Sequence, residues 1–342
     1  MKIFVTGATG FIGSHLTRQL IKRGYDVTAY ARQSSSLKYL PGKTKVVFGD
    51  ILDYEKLKSA LLGFDAVYHN AALACDWADK NEFYKINVEG TTNVLNAIRA
   101  NRINRLILTS SCAVLGEEDY PSAKKEESPY KPKQKYFLSG MFESDMNHYR
   151  ITKAAAEKEA IEFCRQHGIS LTVIRPVWVY GPREFHAGPF NFCSAVNKGL
   201  IVFPATAGKR FHVIYVEDLA KAMILALEKN FDGINIFNIG NKKSPMVKEY
   251  LGAFCKATGK EMPFLLPEYY FAPIGVAAEF IYKILGIKKS PLLTRARAKM
   301  FYCDNIYDIT KAERLLGFTA STTLEKGIEK TVRWWRQNGF LS

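Results

Sequence analysis

The chain lacks closely spaced cysteines. Its six, at 75, 112, 164, 193, 255 and 303, come no nearer than 29 residues, from 164 to 193. C-x-x-C and zinc-type spacing are therefore excluded, and no metal ligand set is expected. Reduced, mostly buried thiols in a cytoplasmic protein are the expectation. No apolar run is long enough to span a bilayer: the best stretch, Ile274–Leu285, follows Pro273 and contains Glu279 and Lys283. The opening Met1–Val5 is not read as a secretory signal, because Gly7, Gly10, Arg18, Lys22 and Arg23 follow. Internal repeats and low-complexity tracts are absent. Acid is scarce relative to base: 48 Lys and Arg against 33 Asp and Glu leave a net charge of +15. The bases are spread along the chain without an RNA- or DNA-binding motif, so no nucleic-acid partner is expected. A solvated basic surface accounts for the charge, with weak peripheral contact with anionic membrane as the alternative.

What is present is ordinary globular material. Hydrophobic residues make up 47% and charged residues 24% of 342. That excludes intrinsic disorder as the main state and fits two domains, or one large elaborated domain. The first half alternates apolar strands with amphipathic helices. Strands read at Lys2–Val5, Asp26–Ala31, Lys45–Phe48, Ala66–His69, Arg105–Ser110 and Leu171–Arg175. Helices read at Phe11–Arg23, Tyr54–Leu62, Val88–Ala100 and Ile151–His167. This rhythm implies an α/β fold with a doubly wound parallel sheet. After Pro176 it breaks. Residues 1–175 plus 211–240 are assigned to a dinucleotide-binding domain, with strands Phe211–Val216 and Ile234–Ile239 around a helix Leu219–Lys229. Residues 176–210 and 241–342 are assigned to a smaller, mixed α/β substrate lobe. Glu117–Asn147 reads as a long surface loop, and Ile274–Leu285 as a helix with Ile274, Ala278, Ile281 and Leu285 on one face and a Glu279–Lys283 pair on another.

Gly7, Gly10 and Gly13 form G-x-x-G-x-x-G between the first strand and helix. Gly7 permits the tight turn, Gly10 the approach of a pyrophosphate, and Gly13 close helix packing. The helix N-terminus offers N–H groups to the phosphate charge. Gly7, Thr9, Gly10, Phe11, Ile12 and Gly13 are the expected dinucleotide cradle. At the end of the second strand, where an NAD site places a carboxylate, stand Ala31 and Arg32, then Gln33 and three serines. A guanidinium there suits a 2′-phosphate, so NADP is the expected cofactor, with NAD as the alternative. Asp50 and Ile51 would border the adenine, and Asn70, Ala71 and Ala72 would let the cofactor backbone pass.

Tyr149 and Lys153 form Y-x-x-x-K, a pattern that also occurs at Tyr39, Tyr54, Tyr120 and Tyr307. Position selects Tyr149: its helix follows a strand ending in Thr109, Ser110 and Ser111. Residues i and i+4 share a helix face, so an ammonium beside the phenol favours the phenolate and brings it toward working pH. Ser111 is the favoured anchor for the substrate oxygen, with Ser110 and Thr109 as competitors. Cys112 has no His/Asn arrangement to make it a nucleophile.

These motifs resemble the extended branch of the short-chain dehydrogenase/reductase superfamily, of NAD-dependent epimerase/dehydratase type. The cofactor turn 6–13, Asn87-Val88-Glu89-Gly90-Thr91, Ser110-Ser111, Tyr149/Lys153, Arg175-Pro176 through Val179-Tyr180-Gly181-Pro182, and Val216-Glu217-Asp218-Leu219-Ala220 are all similar to that branch. The resemblance implies a Rossmann domain and hydride transfer, with Tyr149 handling the proton, Lys153 also holding the nicotinamide ribose, and Pro176 and Val179 bordering the nicotinamide. It also implies a homodimer through Val88–Ala100 and Ile151–His167. Leu115, where epimerases carry tyrosine, and Ala31-Arg32 are closer to dihydroflavonol reductase-like and 3β-hydroxysteroid dehydrogenase-like members. An oxidoreductase acting on a small, rather apolar hydroxy or keto substrate is expected; a nucleotide-sugar epimerase or dehydratase with tightly bound NAD is the alternative. The 38 residues from Ser111 to Tyr149 exceed the branch's usual interval and suggest a lid. Phe185, His186, Phe190, Phe192 and Arg210 are candidates to face the pocket.

Overall fold

Apolar runs flanked by glycine turns build a seven-stranded sheet in the computed structural model, which describes residues 1–341 apart from 76, 118, 120, 142, 143, 145, 146, 186, 187, 288 and 289. The first half runs β1 (Lys2–Thr6), α1 (Phe11–Lys22), β2 (Asp26–Ala31), β3 (Lys45–Phe48), α2 (Tyr54–Ala60), β4 (Ala66–His69), α3 (Lys80–Tyr84), α4 (Gly90–Ala100), β5 (Arg105–Thr109), α5 (Asn147–His167) and β6 (Ser170–Pro176). There follow β7 (Trp178–Tyr180), α6 (Gly188–Asn197), β8 (Val202–Pro204), β9 (Val213–Tyr215), α7 (Val216–Glu228), β10 (Ile234–Ile239), α8 (Val247–Thr258), β11 (Phe264–Leu266), α9 (Glu268–Ile284), α10 (Arg295–Lys299) and α11 (Leu324–Gln337).

The sheet order is β3-β2-β1-β4-β5-β6-β10, parallel throughout. Such a sheet is covered on both faces, so its strands need not alternate; β4 is buried at every residue. Leu16 and Leu20 of α1 and Leu219 and Met223 of α7 cover one face. Leu57 of α2, Leu95 and Ile98 of α4 and Ala160 of α5 cover the other. The order reverses between β1 and β4, which opens a crevice at their carboxyl ends, where ligands bind in open α/β sheets. A separate cluster, including Tyr180, Phe192, Phe211, Tyr250, Phe254 and Trp335, forms beyond the sheet.

Three expectations change. Ile234–Ile239 joins the sheet beside β6 as expected, but Val213–Tyr215 pairs with β7 in a two-stranded sheet. The outer edge of β6 is already filled by β10 from Leu171 to Pro176, which leaves no place for β9. The 117–147 stretch is not simply a surface loop. Lys124, Glu126, Gln134 and Tyr136 are buried: Lys124 Nζ donates to Gly116 O (2.9 Å) and Glu126 accepts from Asn238 N (2.9 Å). Residues 124–136 are therefore a docked segment rather than a free lid. Finally, α9 starts at Glu268 with Pro273 inside it, and it buries Ala272, Gly275 and Glu279 rather than its isoleucines. Glu279 turns inward to Arg295 (2.7 Å).

Candidate active site

The glycine turn has the form that a pyrophosphate needs. Gly7 lies at φ +66°, where a side chain is strained, and a Cβ there would stand 2.6 Å from Ala71 N. A Cβ on Gly13 would sit 2.1 Å from Gly7 O, so α1 packs directly on the turn. Gly10 is different: its Cβ would meet only Gly7 O, at 3.3 Å, and open space lies beyond. Gly10 caps α1 without a side-chain bond, which leaves first-turn N–H groups for an anion. These residues fit a dinucleotide. Thr9, Phe11 and Ile12 complete the turn, each half-buried.

The other cofactor candidates lie at or just beyond the ends of β2, β3, β4 and β6, and within β7. Ala31 ends β2 buried, and Arg32 beyond it is exposed. Asp50 spends its carboxylate on Leu52 N (3.0 Å). Ile51 is buried against Gly90, where a Cβ would come within 2.5 Å of its Cδ1. Asn70, Ala71 and Ala72 are half-buried beside the turn. Thr6 Oγ1 accepts from Asn70 N and Ala71 N (both 3.2 Å). Pro176 ends β6 buried, and Val179 is half-buried in β7.

The polar residues at the end of β5 meet one face of α5. Lys153 Nζ donates to Thr109 O at 2.6 Å, which fixes the lysine two residues before Ser111. Burial brings its ammonium down to about 8, against the opposing pull of Glu157. Tyr149, one turn earlier, is half-buried. Helix α5 begins at Asn147, earlier than the expected Ile151, because the Asn147 amide bonds Gln134 on both sides: it accepts from N (3.0 Å) and donates to O (3.1 Å). The serines separate clearly. Ser110 is buried and donates to Glu157, whereas Ser111 is half-buried and, among the described residues, its Oγ accepts only from Ala113 N (3.2 Å). Cys112 is buried, and burial pushes its thiol well above the usual range, so a thiolate nucleophile is disfavoured.

Two networks escaped the reading of single motifs. Glu157 holds Arg175 Nε at 3.0 Å and accepts from Tyr130 Oη at 2.6 Å, all within the protein. Its only sequence signal is a charge four residues beyond Lys153 on the buried face of α5. The second network runs beneath the crevice. Thr6 Oγ1 meets His69 Nδ1 (2.8 Å), His69 Nε2 meets Thr91 Oγ1 (3.0 Å), and Thr91 donates to Asn87 O (2.7 Å). Thr91 uses its proton on Asn87, so it accepts from His69, which is neutral with its proton on Nε2. Burial first, then Lys153, brings His69 down to about 3. Asn87 Nδ2 continues to Thr152 Oγ1 (3.0 Å) on α5.

The pocket candidates lie elsewhere. Phe185 and Phe190 pack on Trp334, Trp335 and Phe340, and Phe192 on Phe203. These rings build the second cluster. Arg210 is exposed beside Lys242 and Lys243 in a groove of about 720 Å³. His186 lies outside the described residues.

A glycine cradle at the switch point, with a Tyr/Lys/Ser group at the next strand ends, defines an NAD(P)-dependent enzyme. The chain belongs to the NAD dependent epimerase/dehydratase family, whose model matches residues 3–240. It is an enzyme of the extended short-chain dehydrogenase/reductase type. It is 27% identical to the 2-alkyl-3-oxoalkanoate reductase of Shewanella oneidensis, over 96% of this chain and 84% of the relative. It is 26% identical to the sterol-4-alpha-carboxylate 3-dehydrogenase, decarboxylating, of Bos taurus, over 96% of this chain and 91% of the relative. Among solved structures, UDP-glucose 4-epimerase of Thermus thermophilus in complex with NAD is 25% identical, with a TM-score of 0.76 over 98% of this chain and 99% of that one.

Proposed function

We propose that the enzyme interconverts a ketone and an alcohol on an apolar substrate, using NADP(H). The observation that carries this reading is the division of labour at the end of β5. Ser110 is spent on Glu157, Lys153 is fixed on Thr109, and Ser111 keeps a hydroxyl proton for a substrate oxygen. The dinucleotide, when bound, supplies or receives the hydride. Ser111 orients the carbonyl oxygen. Tyr149 gives it a proton in reduction and removes one in oxidation, and Lys153 stabilises the phenolate. Pro176 and Val179 border the nicotinamide side. The names of the two relatives share one chemical feature, an oxygen on the carbon next to a carboxylate-bearing carbon of a large apolar body. A hydroxy or keto acid of that kind is the proposed substrate class.

Ala31 and exposed Arg32 support NADP over NAD. Arg32→Ala should raise the KM for NADPH by roughly tenfold or more while sparing that for NADH, since a charge-assisted contact is lost. Equal effects on both cofactors would refute the assignment. The function is tested by following NADPH absorbance with a panel of 3-oxo acids and sugar nucleotides. Consumption with the acids, cut by about 10²–10⁴-fold in Tyr149→Phe, supports it. Purified enzyme that retains NAD and turns over only sugar nucleotides would favour the epimerase reading. A cytoplasmic homodimer through α4 and α5 belongs to the same proposal. Ala154 and Ala156 are buried within the chain, so the α5 contact would fall on Ile151 and Ala155.

A further inference from the structure

We propose that the outer face of α9, together with residues 137–141, docks on an anionic lipid bilayer; this goes beyond the reading of the active site. The helix is fastened in an unusual way. Gly275 brings it against α10, where a Cβ would lie 2.9 Å from Arg295 N. Beside it Glu279 accepts from Arg295 N at 2.8 Å and Nη2 at 2.7 Å. One small residue and one buried ion pair thus hold the inner side, and the large apolar side chains turn outward. Ile274 is 56% exposed, Ile281 51% and Ile284 67%. Their spacing places them on one helical face.

A second apolar segment is tied to the same corner. Arg295 Nη1 donates to Phe137 O (2.8 Å) and Lys299 Nζ to Lys135 O (2.6 Å). There Leu138 is 44% and Met141 73% exposed. Exposed apolar side chains on two segments that are both fastened to α10 mark an interaction site.

Charge decides the occupant. The two joined segments belong to stretches, 128–142 and 280–303, that contain no Asp or Glu. The first carries Lys131, Lys133 and Lys135, all exposed, and the second carries six bases between 283 and 299. Lys288 and Lys289, two of those six, lie outside the described residues. Arg295 is neutralised by Glu279. Asp79 and Glu82 line a groove with Tyr282, Lys283 and Ile287 at the C-terminal end of α9, near Trp77, whose Nε1 donates to Ile287 O (3.2 Å), so they offset part of the charge at that one end, where Lys80 and Lys85 accompany them in sequence. An apolar centre with a basic surround complements anionic headgroups over acyl chains. A second copy of the same patch would bring like charges together.

The test is flotation of the full-length enzyme with vesicles of phosphatidylcholine alone and of phosphatidylcholine mixed with phosphatidylserine. Binding to the mixed vesicles, weakened by salt and reduced at least tenfold in the double variant Ile281→Glu/Ile284→Glu, supports the proposal. A second variant, Lys131→Gln/Lys133→Gln/Lys135→Gln, should weaken binding to the mixed vesicles several-fold. Wild-type enzyme that does not float with the mixed vesicles overturns the proposal, as does binding unchanged in both variants. Self-association abolished by the double variant without vesicle binding would assign the face to a second copy and also overturn it. None of these readouts depends on the substrate, so the active-site reading stands or falls separately.

Discussion

Three hydroxyl residues end β5, and only their surroundings distinguish them. Thr109 Oγ1 is buried with no hydrogen-bond partner among the described residues. Ser110 donates to Glu157, and Ser111 is half-buried, its Oγ accepting from Ala113 N. Composition and spacing favour Ser111 without separating it from Ser110, because the discriminating partner lies 47 residues away. Opposite variant behaviours follow. Ser111→Ala should lower kcat/KM about 10²-fold by removing the donor to the substrate oxygen, with stability lowered by no more than about 1 kcal/mol through the lost bond from Ala113 N. Ser110→Ala leaves Glu157 one donor short and should cost about 1–3 kcal/mol. Paired measurements of kcat/KM and urea midpoint check this, and the reverse pattern would move the substrate anchor to Ser110.

At the scale of elements, one buried ion pair joins α5, β6 and the segment between β5 and α5. Arg175 and Glu157 expose 1% and 0% of their side chains. Arg175 also donates to Glu126 O (2.9 Å) and Tyr130 Oη (3.0 Å). Removing one partner strands the other charge in the protein. Glu157→Gln should therefore destabilise the enzyme by about 3–5 kcal/mol and expose 123–136 to limited proteolysis. A variant as protease-resistant as wild type would show that the segment is held by other contacts. The same segment shows where sequence reading stops. The seven strands of the large sheet and α1 are legible because burial on both faces of a parallel sheet writes apolar runs into the chain; the short strands β7, β8 and β11 lie outside that sheet and carry no such run. The glycine turn, Tyr149 and Lys153 are legible because their geometry is local. Lys124, Glu126 and Gln134 look like surface residues, since their partners Gly116, Asn238 and Asn147 are brought near only by tertiary folding. Helix α9 has the expected apolar residues, but periodicity does not say which side faces inward. There, Gly275 and Glu279 decide it.

Across the whole molecule, three buried histidines join parts distant in sequence. His15 on α1 bonds Pro182 O (3.0 Å), His69 lies under the glycine turn, and His212 contacts Asn241 O (2.7 Å) and Tyr307 N (3.2 Å). Burial is the largest cause that lowers His15 and His69 to about 3 and His212 to about 4. In the unfolded chain each titrates near 6.5. Between about pH 6.5 and 4 the unfolded state therefore binds more protons than the folded one, and stability rises with pH across that window. The contribution is complete above about 6.5 and is lost as pH falls. Each histidine adds a slope of about 1.4 kcal/mol per pH unit, so three approach about 4 kcal/mol per unit. Glu126, raised mainly by burial, opposes this as a single group in the carboxylate range. Urea midpoints at pH 7 and pH 5 should show a steep loss on acidification. His212→Asn should flatten the slope by about a third even if it lowers stability at pH 7. A midpoint unchanged from pH 7 to 5 would mean that these rings are hydrated and charged in the folded protein. Because His69 supports Thr6 and, through it, the backbone of Asn70 and Ala71, dinucleotide binding should fail together with the fold rather than before it.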